Sequence, residues 1–92
     1  MIKTFKDKGL AELWSSGKTA KIDARMQERI LVRLDRLDVV TTLKELGTIG
    51  FNFHALKGFE PTRFSIHVNG PWCLTFDFDG EDVLQIDFEQ YH

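Results

Sequence analysis

The 92-residue chain holds one cysteine, two prolines, one tyrosine and three histidines. A lone cysteine makes neither an internal disulfide nor a cysteine metal cluster, so no cross-link of either kind is expected to hold the fold. No apolar run approaches the roughly 20 residues of a membrane span. The opening MIKTFKDKGL lacks the apolar core of a signal peptide, and a cytoplasmic protein is expected. Repeats and low-complexity segments are absent. So is the basic excess usual in nucleic-acid binders: 12 Lys and Arg stand against 14 Asp and Glu, a net charge of −2. What is present is ordinary globular material, 42% apolar and 28% charged, enough for one domain over residues 1–92.

The balance of charge hides a split. Residues 1–50 carry ten basic and seven acidic side chains, a net of +3, and residues 51–92 carry two and seven, a net of −5. Two faces with different partners would produce such a division, and so would a chance distribution of solvated charge.

The basic half has helical periodicity. Ile2–Phe5 alternates like a short edge strand. Asp7 is placed to cap a helix running through Trp14, closed by Gly17. Asp23 caps a longer helix in which Met26, Ile30, Leu34 and Leu37 recur on one face, with Arg25, Arg29, Arg33 and Arg36 as a ridge beside them. Thr42 caps a third short turn ended by Gly47.

After Gly50 the period changes from 3.6 to 2. Phe53–Leu56 is a short strand. Arg63–Val68 alternates, Asn69-Gly70 supplies a two-residue hairpin turn, and Trp72–Phe78 and Leu84–Phe88 continue on either side of Asp79-Gly80. The predicted fold is α+β, two to three N-terminal helices packed on one face of a curved antiparallel sheet. Phe64, Ile66, Trp72, Leu74, Phe76, Leu84, Ile86 and Phe88 are expected to face the helices. The opposite face, with Arg63, Ser65, His67, Thr75, Asp87, Glu89 and Tyr91, is expected to be polar and open to a ligand.

Chemistry-bearing candidates are His54, Lys57, Arg63, His67, Tyr91 and His92. No zinc spacing joins the histidines and no phosphate-cradling glycine loop is present. His54 and Lys57 combine an acid or base working near neutrality with a fixed cation, which suits deprotonation of a ribose 2′-hydroxyl beside a phosphate; an exposed loop pair is the plain alternative. At the chain end, the terminal carboxylate favours the imidazolium of His92, a general acid for a leaving 5′-oxygen, and Tyr91 can stack or hydrogen-bond; a frayed tail is the alternative there. Arg63 can grip phosphate bidentately or form a cross-strand salt bridge to Asp87 or Glu89. Cys73, flanked by Trp72 and Leu74, is expected to be a small packing residue.

MIK-x-F-K-x-KGL at the start, H-x-LKG at 54–58, S-I-x-V-N at 65–69, W-x-LTF at 72–76 and the terminal YH resemble the HigB branch of the RelE/ParE toxin superfamily over the whole chain. The resemblance implies the toxin of a type II toxin–antitoxin pair, a ribosome-dependent endoribonuclease that cuts mRNA in the ribosomal A site. No metal or cofactor is implied, since the 2′-hydroxyl attacks the adjacent phosphate. The implied partners are a HigA-like helix-turn-helix antitoxin, ribosomal RNA and mRNA, with operator DNA reached only through the antitoxin and no membrane. His54, Lys57, Tyr91 and His92 match the family's catalytic positions, and Arg63, Ser65, His67 and Gln90 are expected to contact RNA. Two positions depart: Cys73 stands where relatives carry Arg, and Gln90 where they carry Asp before the final YH. Losing a guanidinium weakens phosphate stabilisation, and glutamine cannot act as a base, so Arg63 or His67 is expected to take over the missing charge. These departures keep open a catalytically weakened antitoxin partner, or a ParE-like toxin acting on a topoisomerase by protein binding.

Overall fold

The structure, a computed structural model, describes residues 1–90. Three helices precede four strands: α1 (Lys8–Ser16), α2 (Ala24–Asp38), α3 (Leu43–Gly47), β1 (His54–Leu56), β2 (Arg63–Asn69), β3 (Trp72–Phe78) and β4 (Val83–Gln90). The strands form one antiparallel meander in the order β1-β2-β3-β4. No helix among the described residues is long and apolar enough to cross a membrane.

Each helix starts on the residue its sequence marks. Asp7 accepts the Leu10 amide at 2.8 Å, Asp23 that of Arg25 at 2.9 Å, and Thr42 that of Glu45 at 3.1 Å, so one otherwise orphaned N–H at each start is satisfied. α1 runs two residues past Trp14 before Gly17 takes the left-handed conformation, φ 85°, that ends it. Gly9 is needed for another reason: a β-carbon there would stand 3.1 Å from Lys21 Cβ, where the α1–α2 connection presses against α1.

α1 and α2 lie on one face of the sheet. Leu10, Leu13, Ile30, Leu34 and Leu37 meet Ile66, Val68, Leu74, Phe76, Val83 and Ile86 in a single core. Stacked pairs extend it outward, Phe53 on Phe64 at 5.4 Å and Trp72 on Phe88 at 4.6 Å between ring centres. Phe76 lies inside this core, with Trp72 and Phe78 packed against it.

Three expectations need correction. Leu84 does not face the helices. Gln85 adopts φ 53°, a bulge that shifts the β3–β4 register, so that Leu84 pairs with Asp77 and shares its outer face while Val83 and Ile86 fill the core. The β2–β3 turn is Gly70-Pro71, with a register shift between His67 and Asn69, and not a two-residue Asn69-Gly70 loop. Ile2–Phe5 forms two isolated bridges, Ile2 to Val83 and Phe5 to Ile86, parallel to β4. Lys3 and Lys6 donate amides to the Val83 and Ile86 carbonyls, both at 2.8 Å, and the segment is fastened to α2 where the Ile2 amide meets Asp38 at 2.9 Å. It covers the outer edge of β4, a row of backbone groups otherwise open to another chain.

Candidate functional site

The strand register gathers His54, Arg63, Ser65 and His67 on the sheet face away from the helices. His54, Ser65, Thr75 and Asp87 form one row across β1, β2, β3 and β4, and His67, Cys73 and Glu89 form a second. Neighbouring strands lie about 4.8 Å apart, so each row spans roughly 10–15 Å.

The centre of this face is not open, contrary to the sequence expectation. Ser65 and Thr75 are fully buried, and Cys73 is 8% exposed. Arg63 fills the space, its side chain only 12% exposed. Its guanidinium donates to Asp77 Oδ1, Thr75 Oγ1 and the Gln85 carbonyl, each at 3.0 Å. The ion-pair partner is thus Asp77, directly opposite on β3, and neither Asp87 nor Glu89. A regular hairpin on Asn69-Gly70 would have placed Phe76 opposite Arg63, and one on the observed Gly70-Pro71 turn Phe78; the extra residue of the β2–β3 bulge brings Asp77 there instead, and no local pattern announces that bulge.

Thr75 completes a directional chain. Arg63 can only donate, so Thr75 Oγ1 accepts from it and gives its own proton to the Glu89 carboxylate, with which it makes a short contact. The guanidinium thus orders a carboxylate two strands away. Beside Thr75, the buried Ser65 Oγ has no hydrogen-bond partner among the described residues.

The two described histidines are exposed. His54 Nδ1 lies 2.8 Å from the Asn52 carbonyl. A carbonyl only accepts, so Nδ1 carries the proton and the neutral ring presents Nε2 as its basic atom. His67 Nε2 is 2.9 Å from the Gly70 carbonyl and is likewise the donor. Lys57 follows His54 by three residues, exposed in the turn after β1. Gln90 pairs with Trp72 and shares that residue's side of the pleat, away from Arg63, Ser65 and His67. Tyr91 and His92 lie outside the described residues. Among the described residues no three His, Cys, Asp or Glu side chains gather to hold a metal ion.

One contributor escaped sequence reasoning. Arg33 belongs to the arginine ridge of α2, yet it turns inward. Its Nε donates to the His67 carbonyl at 2.7 Å, and its guanidinium lies 4.3 Å from the centre of the Phe51 ring. Burial, with repulsion from Arg29, lowers its pKa. The His67 amide in turn meets the Phe51 carbonyl at 2.7 Å, so Arg33 pins the segment that leads into β1 and His54. The remaining ridge is partly spent as well, since Arg25 pairs with Asp23 at 2.8 Å. That contact and the Arg25 amide draw the Asp23 pKa down to about 2.

With this geometry in hand, the chain is similar to known proteins over its full length. A family model described as the RelE-like toxin of type II toxin–antitoxin system HigB matches residues 3–92. A protein of Proteus vulgaris named endoribonuclease HigB is 38% identical over 92 residues, covering all of both chains.

Proposed function

The chain belongs to the HigB-like, RelE-type toxins of type II toxin–antitoxin systems, and on that premise we propose that it is a ribosome-dependent endoribonuclease that cuts translated mRNA in the cytoplasm. The observation that carries this reading is His54. It stands exposed at the edge of a polar sheet face, three residues before the exposed Lys57, its tautomer set by the Asn52 carbonyl so that Nε2 is the basic atom. The full-length likeness to a protein named as an endoribonuclease supports the same conclusion.

In this reading the ribose 2′-hydroxyl attacks the adjacent phosphate, and protein side chains move the protons and stabilise the charge, without a metal. His54 and His92 form the proton-transfer pair. Lys57 offsets the charge growing on the phosphate, and Tyr91 orients the nucleotide or stacks on its base. His67 lies on the same face two strands from Glu89 and contacts the RNA backbone, a role denied to Gln90 by its position on the opposite side of the pleat. Ser65 and Arg63 form the floor of the site; Arg63 meets RNA only if its pair with Asp77 opens. A HigA-like antitoxin neutralises the toxin and links it to operator DNA.

Inducing the chain without its antitoxin is expected to arrest growth, with new message ends inside translated frames on primer extension. His54→Ala and His92→Gln are each expected to relieve the arrest and abolish those ends. Arrest that survives both substitutions with no new ends would favour a ParE-like toxin acting by protein binding. The commitment of Arg63 to Asp77 and the excess of carboxylates on this face give that alternative its physical basis.

A further inference from the structure

Asp87 and Glu89 lie on the face assigned to RNA, where a phosphate would be repelled. Carboxylates placed there by chance would be mobile and solvated, but Glu89 is neither. It is half-buried, and its carboxylate accepts the Thr75 hydroxyl, whose direction is imposed by the Arg63 guanidinium. Arg63 is itself fixed by Asp77 and the Gln85 carbonyl. Three strands are thus engaged in holding one acceptor in place.

A pre-oriented carboxylate is a poor partner for phosphate and a good one for the N–H groups on a nucleobase edge, as in carboxylate recognition of the cytosine amino group. RNA sequence is read in this way on unstacked single-stranded bases. Ser65 supplies an independent pointer. Its buried hydroxyl, adjacent to Thr75 in the row that starts at His54, has no partner among the described residues, so the floor of this face holds one hydrogen-bonding group that the described contacts leave unused. We propose that Glu89, positioned by Thr75 and Arg63, is a specificity residue that accepts a hydrogen bond from an amino-bearing base (adenine, cytosine or guanine) next to the cut and discriminates against uracil. This rests on the endoribonuclease reading above. It also gives a role to the acidic character of the face: phosphates are kept to the His54–Lys57 side and a base edge is drawn to the Glu89 side.

The test maps message ends in cells after induction of the intact chain, Glu89→Gln, Glu89→Asp and Thr75→Val, scoring cuts beside amino-bearing bases against cuts beside uracil. A lost base contact changes discrimination by roughly tenfold to a hundredfold. The ratio is expected to fall by about tenfold or more in Glu89→Gln, where an amide donor now faces the base amine, and in Glu89→Asp, where the acceptor is withdrawn by one methylene. An intermediate fall is expected in Thr75→Val, where the carboxylate loses its anchor. Circular dichroism of each variant checks folding, and the conservative Glu89→Asp guards against a misfolded Gln variant. A ratio unchanged in both Glu89 variants of a protein that cuts would overturn the specificity role alone. Absence of any cutting by the unsubstituted chain would overturn the endoribonuclease reading and this inference with it.

Discussion

A single side chain can be assigned a type of chemistry from sequence, but its partners are set by register. Arg63 shows this. Its candidate roles, phosphate contact or cross-strand ion pair, are both legible from its place in an alternating strand. That it pairs with Asp77, latches Thr75 and is nearly buried depends on a bulge at the β2–β3 turn. Ser65 and Thr75 likewise look like exposed polar positions until Arg63 is seen lying across them. Asp23 is the opposite case. Its capping role and its neighbour Arg25 are both local, and they hold its carboxyl near 2, below the usual value of 3.8. A depressed folded pKa contributes stability that is present above the unfolded value and lost as pH falls toward the folded one. Carboxyl-carbon NMR is therefore expected to show Asp23 titrating near pH 2, with the α2 start loosening between about pH 4 and 2. A midpoint near 3.8 would show that Arg25 does not engage it.

Among the elements, the helices were the most legible because their determinants are contiguous: an Asp or Thr cap at each start, a 3.6-residue apolar stripe, and for α1 a left-handed glycine at its end. The strands were legible in existence and type, less so in facing. Alternation assigns Leu84, Ile86 and Phe88 to one side, and it fails at Leu84 because Gln85 turns through φ 53° and inserts one residue into the pattern. The bulge is braced: the Gln85 amide meets Thr4 Oγ1 at 2.8 Å, and its carbonyl takes the Arg63 guanidinium. Glycine adopts this conformation without steric cost. Gln85→Gly is expected to stabilise the fold by up to about 1 kcal/mol in urea unfolding, and Gln85→Val to destabilise it. Equal midpoints for the two variants would show that the left-handed conformation carries no strain.

For the molecule as a whole, the N-terminal segment ties the layers together. It bridges β4 by backbone hydrogen bonds and α2 through Asp38, and so closes the sheet edge beside the helices. Removing residues 1–5 is expected to leave the Val83 and Ile86 amides without the Met1 and Thr4 carbonyls that accept from them and to raise concentration-dependent association in light scattering, along with a lower Tm. A truncated chain with the association and melting of the intact one would show the edge to be protected by other means.

The sequence by itself determined the α+β class, the helix boundaries to within a few residues and the family resemblance, because each rests on residues close together along the chain. The −2 net charge was read correctly as a sum of two unlike halves. Only the tertiary structure decided what those charges do. Arg25 and Arg33 are spent on Asp23, the His67 carbonyl and Phe51, while Arg63, Asp77, Thr75 and Glu89 are drawn from three strands into one ordered network. Such contacts depend on strand register and on bulges of one residue, which an alternating pattern specifies only until the first residue that steps out of it.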